Sequence, residues 1–202
     1  KYYIHYEKAK IMDYSSNDYL KNMFNLNNKN IIVIGSSSGI GKSASLAIAA
    51  HGGNLICADI QNIESTIKAV KEINSEVNVT PFEIDITNKS EIIKLMDEYD
   101  VIDGVVCTPS INVRKLLIDY TESEFDKVIS LNLKATFNVL QASAKKMKLN
   151  NKGSIVAFSS IRGSVVEPGQ SVYAASKAGT EKLVNTLAAE VAEYNIRVNT
   201  IS

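Results

Sequence analysis

From Asn30 onward the chain alternates between short, continuous apolar runs and longer stretches with apolar residues at helical spacing. The runs at 30–34, 54–59, 77–84, 103–107, 154–158 and 196–201 read as strands. The stretches 39–51, 64–74, 89–99, 122–148 and 171–194 read as helices, with a break expected before the fourth. Strands that are apolar on both faces belong to a parallel sheet covered on both sides. The pattern therefore predicts an α/β fold, a doubly wound parallel sheet of the Rossmann type with helices on both faces. One domain is expected over residues 29–202. In such sheets ligands sit beyond the carboxyl ends of the strands. The last strand runs into Ser202 with no loop after it, so the sequence is expected to lack the C-terminal part of the domain.

Residues 1–28 break this pattern and are set apart as an N-terminal extension. They hold five of the nine tyrosines (Tyr2, Tyr3, Tyr6, Tyr14 and Tyr19) among many Asn, Lys and Ser. The segment is read either as a surface arm or as a contact with a partner subunit.

Composition narrows the function classes. Lysine plus arginine and aspartate plus glutamate are both 22, so no net field draws the chain to nucleic acid or an anionic membrane. No apolar run approaches the roughly 18 residues that span a bilayer, and no signal-peptide core opens the chain. Cys57 and Cys107 lie in apolar runs without metal-ligand spacing. They are expected to be buried thiols in a reducing, cytoplasmic setting, with no metal site. His5 and His51 stand apart from other reactive groups, and His51 reads as a helix-end residue.

Candidate chemistry begins at Gly35-Ser36-Ser37-Ser38-Gly39-Ile40-Gly41, between the first strand and the first helix. Glycines there let the backbone turn and approach a pyrophosphate, and the helix N-terminus offers free N–H groups. Gly41-Lys42-Ser43 also resembles the end of a triphosphate-binding loop, but that loop needs glycine where Ser36 stands. Asp59 ends the second strand, 18 residues after Gly41. A carboxylate there accepts hydrogen bonds from adenosine ribose hydroxyls and repels a 2′-phosphate. The following Ile60 and Gln61 supply no cation, so NAD is expected over NADP. The competing reading of Asp59 is a strand-end carboxylate that caps a turn.

Tyr173 and Lys177 are four apart near the start of a helix and share a face. A nearby ammonium favours the phenolate form of a tyrosine, which then exchanges a proton with an alcohol or carbonyl. Ser160, just past a strand end, is placed at the ligand edge of the sheet, where its hydroxyl would hold a substrate oxygen.

Together, Gly35-x-x-x-Gly39-x-Gly41, Asn132, Ser160 and Tyr173-x-x-x-Lys177 resemble the short-chain dehydrogenase/reductase family in its single-domain form, over about residues 23–202. The resemblance implies that Tyr173 is the acid/base, that Lys177 holds the nicotinamide ribose, and that Ser160 orients the substrate. It implies that Asn132 kinks a helix and supports a water-linked proton relay. It also places Asp85 and Ile86 beside the adenine and gives Ser37, Ser38, Ile40, Cys107 and Pro109 cofactor contacts. The expected substrate is a small alcohol or carbonyl compound. A homodimer or homotetramer is expected, paired through the helix carrying Ala174, Ala175, Ala178, Gly179, Leu183, Leu187 and Val191 and through the long helix before it. Two departures stand out. Ile34 precedes the loop where the family has threonine, and Cys107-Thr108-Pro109-Ser110 replaces its Asn-Asn-Ala-Gly, so an altered nicotinamide-ribose pocket is expected. That replacement also motivates an alternative, a non-catalytic dinucleotide-binding sensor or scaffold. Arg162, Val165, Val166 and Glu167 stand where a substrate would be selected. Arg162 and Glu167 read as contacts to a polar substrate or as a surface ion pair.

Overall fold

The computed structural model describes residues 23–202. The expectations for residues 1–22 lie outside this range. Six strands form one parallel sheet in the order β3-β2-β1-β4-β5-β6. They are β1 (Asn30–Ile34), β2 (Asn54–Asp59), β3 (Val79–Glu83), β4 (Gly104–Cys107), β5 (Gly153–Phe158) and β6 (Ile196–Ile201). The order reverses between β1 and β4, which opens a crevice at the carboxyl ends of these two central strands.

The unbroken apolar runs have a direct physical cause. In β1, Ile32 and Ile34 enter the core on one face of the sheet while Ile31 and Val33 enter the core on the other. In β2, Ile56 and Ala58 join the first core and Leu55 and Cys57 the second. Side chains alternate in direction along a strand, so a strand buried on both faces needs an apolar residue at every position. Helices α1 (Gly39–Ala50) and α2 (Glu64–Ile73) supply residues such as Ile48 and Val70 to the second core. The first is filled from α3 (Lys89–Asp97), α5 (Thr136–Lys148) and α6 (Ser171–Val191).

Several boundaries differ from the sequence pattern. Strand β3 is shorter than 77–84. It is an edge strand, which tolerates Pro81, and Asn78 is still outside it although its carbonyl accepts from Leu55 N. The expected helix at 122–148 is interrupted within, not only before. A 3₁₀ turn at Leu117–Asp119 precedes α4 (Glu122–Ile129), and a π-helical segment, Ser130–Ala135, separates α4 from α5. The start of α4 is set by Thr121, whose side chain accepts from Glu124 N while the Glu124 carboxylate accepts from Thr121 N. The last turn of the final helix tightens into a 3₁₀ turn at Ala192–Tyr194.

The core also begins earlier than residue 29. Leu26 packs against the second core, and its N–H donates to the carbonyl of His51 at 2.9 Å. His51 closes α1, and its ring meets Phe24 edge-on at 6.1 Å. Both cysteines are buried thiols. Among the described residues no helix is long and apolar enough to cross a membrane, and no three His, Cys, Asp or Glu side chains group as for a metal.

Candidate active site

Two cavities lie at the carboxyl edge of the sheet. The larger, 970 Å³, is lined by Gly35 and Ser37–Ile40 of the loop after β1, by Asp59–Gln61 after β2, by Asp85 and Ile86 after β3, and by 108–111 after β4. The smaller, 380 Å³, is lined by Ser160, Tyr173 and residues that flank them. Ser110 and Ile111 line both, so the two adjoin.

The glycine loop is shaped by sterics. Gly35 has φ +85, a conformation that side chains disfavour. Gly41 lies directly under the loop, where an added Cβ would come within 2.0 Å of Gly35 O. At Gly39 an added Cβ would meet nothing within 4 Å among the described residues, so this point of the loop is open on that side. Ser38 precedes α1 without a side-chain cap, and the first turn carries no acidic residue, leaving the N–H groups for a ligand. Lys42, which a triphosphate-binding loop would aim at the phosphates, instead donates to Ser65 Oγ at 3.2 Å and does not line the cavity.

Asp59 caps a turn and lines the larger cavity. Its two oxygens accept from Ser37 N and Gln61 N, each at 2.9 Å, so the carboxylate does cap a turn. The same bonds hold it rigidly in the cavity wall, and a carboxylate accepts more than two hydrogen bonds. Ile60 and Gln61 beside it are uncharged, and the lysines that line the cavity, Lys127 and Lys134, come from α4 and the π segment. Ile40 and Ile60 are exposed apolar side chains on the cavity rim, suited to a flat aromatic ring.

The segment after β4 holds residues whose roles the sequence did not disclose. Thr108 Oγ1 donates to Ile34 O at 2.9 Å, tying β4 to the start of the glycine loop. Cys107, expected among the cofactor contacts, points elsewhere: it is buried in the core, absent from the cavity wall, and burial pushes its thiol up to about 12. Pro109 does line the cavity.

Asn132 sits in the π segment, 1% exposed, and clamps the chain opposite. Its Oδ1 accepts from Ile111 N at 2.9 Å, and its Nδ2 donates to Ile111 O at 2.8 Å and to Ser176 Oγ at 3.1 Å. Ser176 in turn donates to Tyr173 O at 2.7 Å. One buried amide thus joins the wall between the cavities to the turn of α6 that bears Tyr173. The π segment breaks regular helical spacing at the residue that makes this clamp, as such segments do at functional sites.

Lys177 is 3% exposed and donates to Phe158 O at 2.8 Å, anchoring α6 to the end of β5. Its nitrogen stands 5.6 Å from the Tyr173 ring centroid. Burial lowers its pKa from the usual lysine value, and the neighbouring Cys107 opposes that shift. Ser160 has extended backbone, and its Oγ accepts from Arg162 N at 3.2 Å. The adjacent Ser159, a residue the sequence did not single out, donates to Glu181 Oε1 at 2.7 Å. Among the expected residues, then, Ser160 and Tyr173 share one cavity, the loop residues and Asp59, Ile60, Asp85 and Ile86 share the other, and Asn132, Lys177 and Gly41 lie behind the walls.

Against known proteins, residues 29–202 match the model of the short chain dehydrogenase family. The chain is 37% identical to the 3-oxoacyl-(acyl-carrier-protein) reductase FabG of Thermotoga maritima, over 88% of this chain and 74% of that protein. It is 34% identical to the same-named protein of Rickettsia conorii, over 89% and 73%. Among solved structures, NAD+-bound xylitol dehydrogenase superposes with a TM-score of 0.84 at 28% identity, covering 88% of this chain and 70% of that one. Levodione reductase gives 0.85 at 28%, covering 88% and 71%. The chain belongs to the short chain dehydrogenase family, and its class is that of a nicotinamide-linked oxidoreductase.

Proposed function

We propose that the protein interconverts a secondary alcohol and a ketone with NAD, Tyr173 serving as the acid/base. The observation that carries this reading is that Ser160 and Tyr173 face a small cavity adjoining the one built from the glycine loop. The larger cavity suits a dinucleotide: open space at Gly39, uncapped N–H groups at the start of α1, and a fixed carboxylate at Asp59. When bound there, the nicotinamide supplies a hydride to the substrate carbon or accepts one from it.

The chain's own residues handle the proton and the alignment. In reduction, the Ser160 hydroxyl donates to the carbonyl oxygen and holds it toward Tyr173, whose phenol gives that oxygen its proton as the hydride reaches the carbon. In oxidation the phenolate takes the alcohol proton. The Lys177 ammonium beside the ring stabilises the phenolate in either direction. Asn132 holds the cavity wall and the Tyr173 turn in register. A pure sensor would need the larger cavity but not this second set of residues around the smaller one.

Support for NAD over NADP comes from Asp59, a carboxylate in the cavity wall at the end of β2, the strand-end position from which such a group repels a 2′-phosphate. Turnover followed by absorbance of the reduced cofactor over a panel of secondary alcohols and ketones is expected to prefer NAD by at least about 10-fold, and Asp59→Ser to erase that preference. A strong NADP preference in the unaltered protein would remove the Asp59 assignment.

A second copy of the chain is proposed to cover the groove of 790 Å³ on the outer face of α5 and α6, lined by Leu133, Phe137, Gly179, Leu183, Leu187 and Val191. Sedimentation is expected to give a dimer or tetramer, and Leu187→Glu to shift it to monomer; a monomeric parent protein would contradict the pairing.

A further inference from the structure

We propose that the smaller cavity takes a carbonyl or alcohol substrate that carries an anionic group, a carboxylate or a phosphate, bound by Arg114 and Arg162. The inference rests on the oxidoreductase reading above for which end of the substrate reacts. Among the described residues, the charged side chains that line the cavity are both arginines and no carboxylate lines it. They come from different segments, Arg114 from the loop after β4 and Arg162 from the 3₁₀ turn after β5 (Ile161–Gly163), and converge on one partner. That partner is Glu167, whose Oε1 accepts from Arg114 at 3.1 Å and whose Oε2 accepts from Arg162.

Glu167 stands outside the cavity lining and has a third partner besides the two arginines. Its Oε2 also accepts from Gln170 Nε2 at 2.9 Å, and Gln170 accepts from Asn112 Nδ2 at 2.6 Å. One carboxylate therefore orients two guanidinium groups and neutralises one charge, leaving about one positive charge on the wall, an inference from the charges of these three groups. A guanidinium presents five donors, and a single contact to Glu167 leaves several of them for a second oxyanion. Arg114 is the freer of the two, its side chain 67% exposed against 28% for Arg162. Arg162 is also tied to the reaction centre, since its backbone N–H donates to Ser160 Oγ. An anion on the arginines would thus fix the far end of a substrate whose oxygen lies at Ser160 and Tyr173. A volume of 380 Å³ is at the small end of ligand pockets, consistent with a short oxo acid or a small keto phosphate.

The test uses the full chain with three probes: acetoacetate, its neutral methyl ester, and dihydroxyacetone phosphate. Calorimetric titration at low salt, with NAD present, is expected to show at least one anion binding about 10-fold more tightly than the ester. That preference shrinks as salt is raised. Arg114→Gln and Arg162→Gln each bring the ratio close to one, and Arg114→Lys recovers most of it. Acetoacetate and the phosphate separate the two oxyanion chemistries. Equal binding of anions and ester, or a preference that survives both glutamine variants, overturns the proposal whether or not the ester is turned over. If the anions bind through the arginines but no probe is reduced with NADH, the oxidoreductase reading is what fails, and the anion site stands.

Discussion

Replacing Tyr173 with phenylalanine is expected to lower kcat by about 10³-fold while leaving the dissociation constant for NAD within about 2-fold. The substitution removes one oxygen and keeps the ring. The ring's contact with the Lys177 ammonium therefore persists, and so do the hydrogen bond from Ser176 to the Tyr173 carbonyl and the packing of α6. What disappears is the group proposed to exchange a proton with a substrate oxygen in the smaller cavity, which Tyr173 lines. General acid/base groups typically contribute 10²- to 10⁴-fold, which sets the scale. Steady-state kinetics and an equilibrium titration with NAD read the two quantities separately. A variant that kept its rate would show that the phenol moves no proton in the slow step.

The second large effect comes from Gly41. An alanine there would place its Cβ 2.0 Å from Gly35 O and 2.9 Å from Thr108 Oγ1. The first neighbour is backbone, held at the end of β1, and cannot swing aside as a flexible side chain would. The loop must open, which spoils the cradle of N–H groups at the start of α1. Overpacking of this kind costs about 1–3 kcal/mol. Gly41→Ala is expected to weaken NAD binding by at least about 10-fold and to lower the melting temperature. Gly39→Ala is the control. It meets no neighbour within 4 Å but takes up φ +51, for a penalty of about 1 kcal/mol in backbone strain. Equal NAD affinities in the two variants would mean that close packing under the loop does not shape the site.

How much of this was legible in the sequence depends on the range of the interactions. Strand and helix identities followed from local periodicity, because burial on both faces leaves an unbroken apolar run at 31–34 of β1 and 55–58 of β2. The glycine loop was equally legible, since its glycines fall within seven consecutive residues, although part of the crowding on Gly35 and Gly41 comes from Thr108. The π segment was foreshadowed only by the family resemblance, which implied a kink at Asn132; the local apolar spacing does not mark it, and the contact Asn132 makes there, to Ile111, spans 21 positions. Cys107 was expected among the cofactor contacts through the family resemblance alone; its side chain packs in the core, while Thr108 Oγ1 donates to the start of the loop. The ion pairs of Glu167 with Arg114 and Arg162 show the same limit. Only the Arg162–Glu167 half was foreseen as a possible pair, because Arg114 lies 53 residues from Glu167.

The central claim is that this site moves a hydride at one end and a Tyr173 proton at the other. The most direct measurement follows a ketone reduced by NADH deuterated at the transferable position of the nicotinamide, with the product analysed by mass spectrometry and NMR. The expected product carries one deuterium on the new carbinol carbon, formed by the unaltered protein and nearly absent with Tyr173→Phe. Product without deuterium at that carbon, or equal product from the phenylalanine variant, would contradict it.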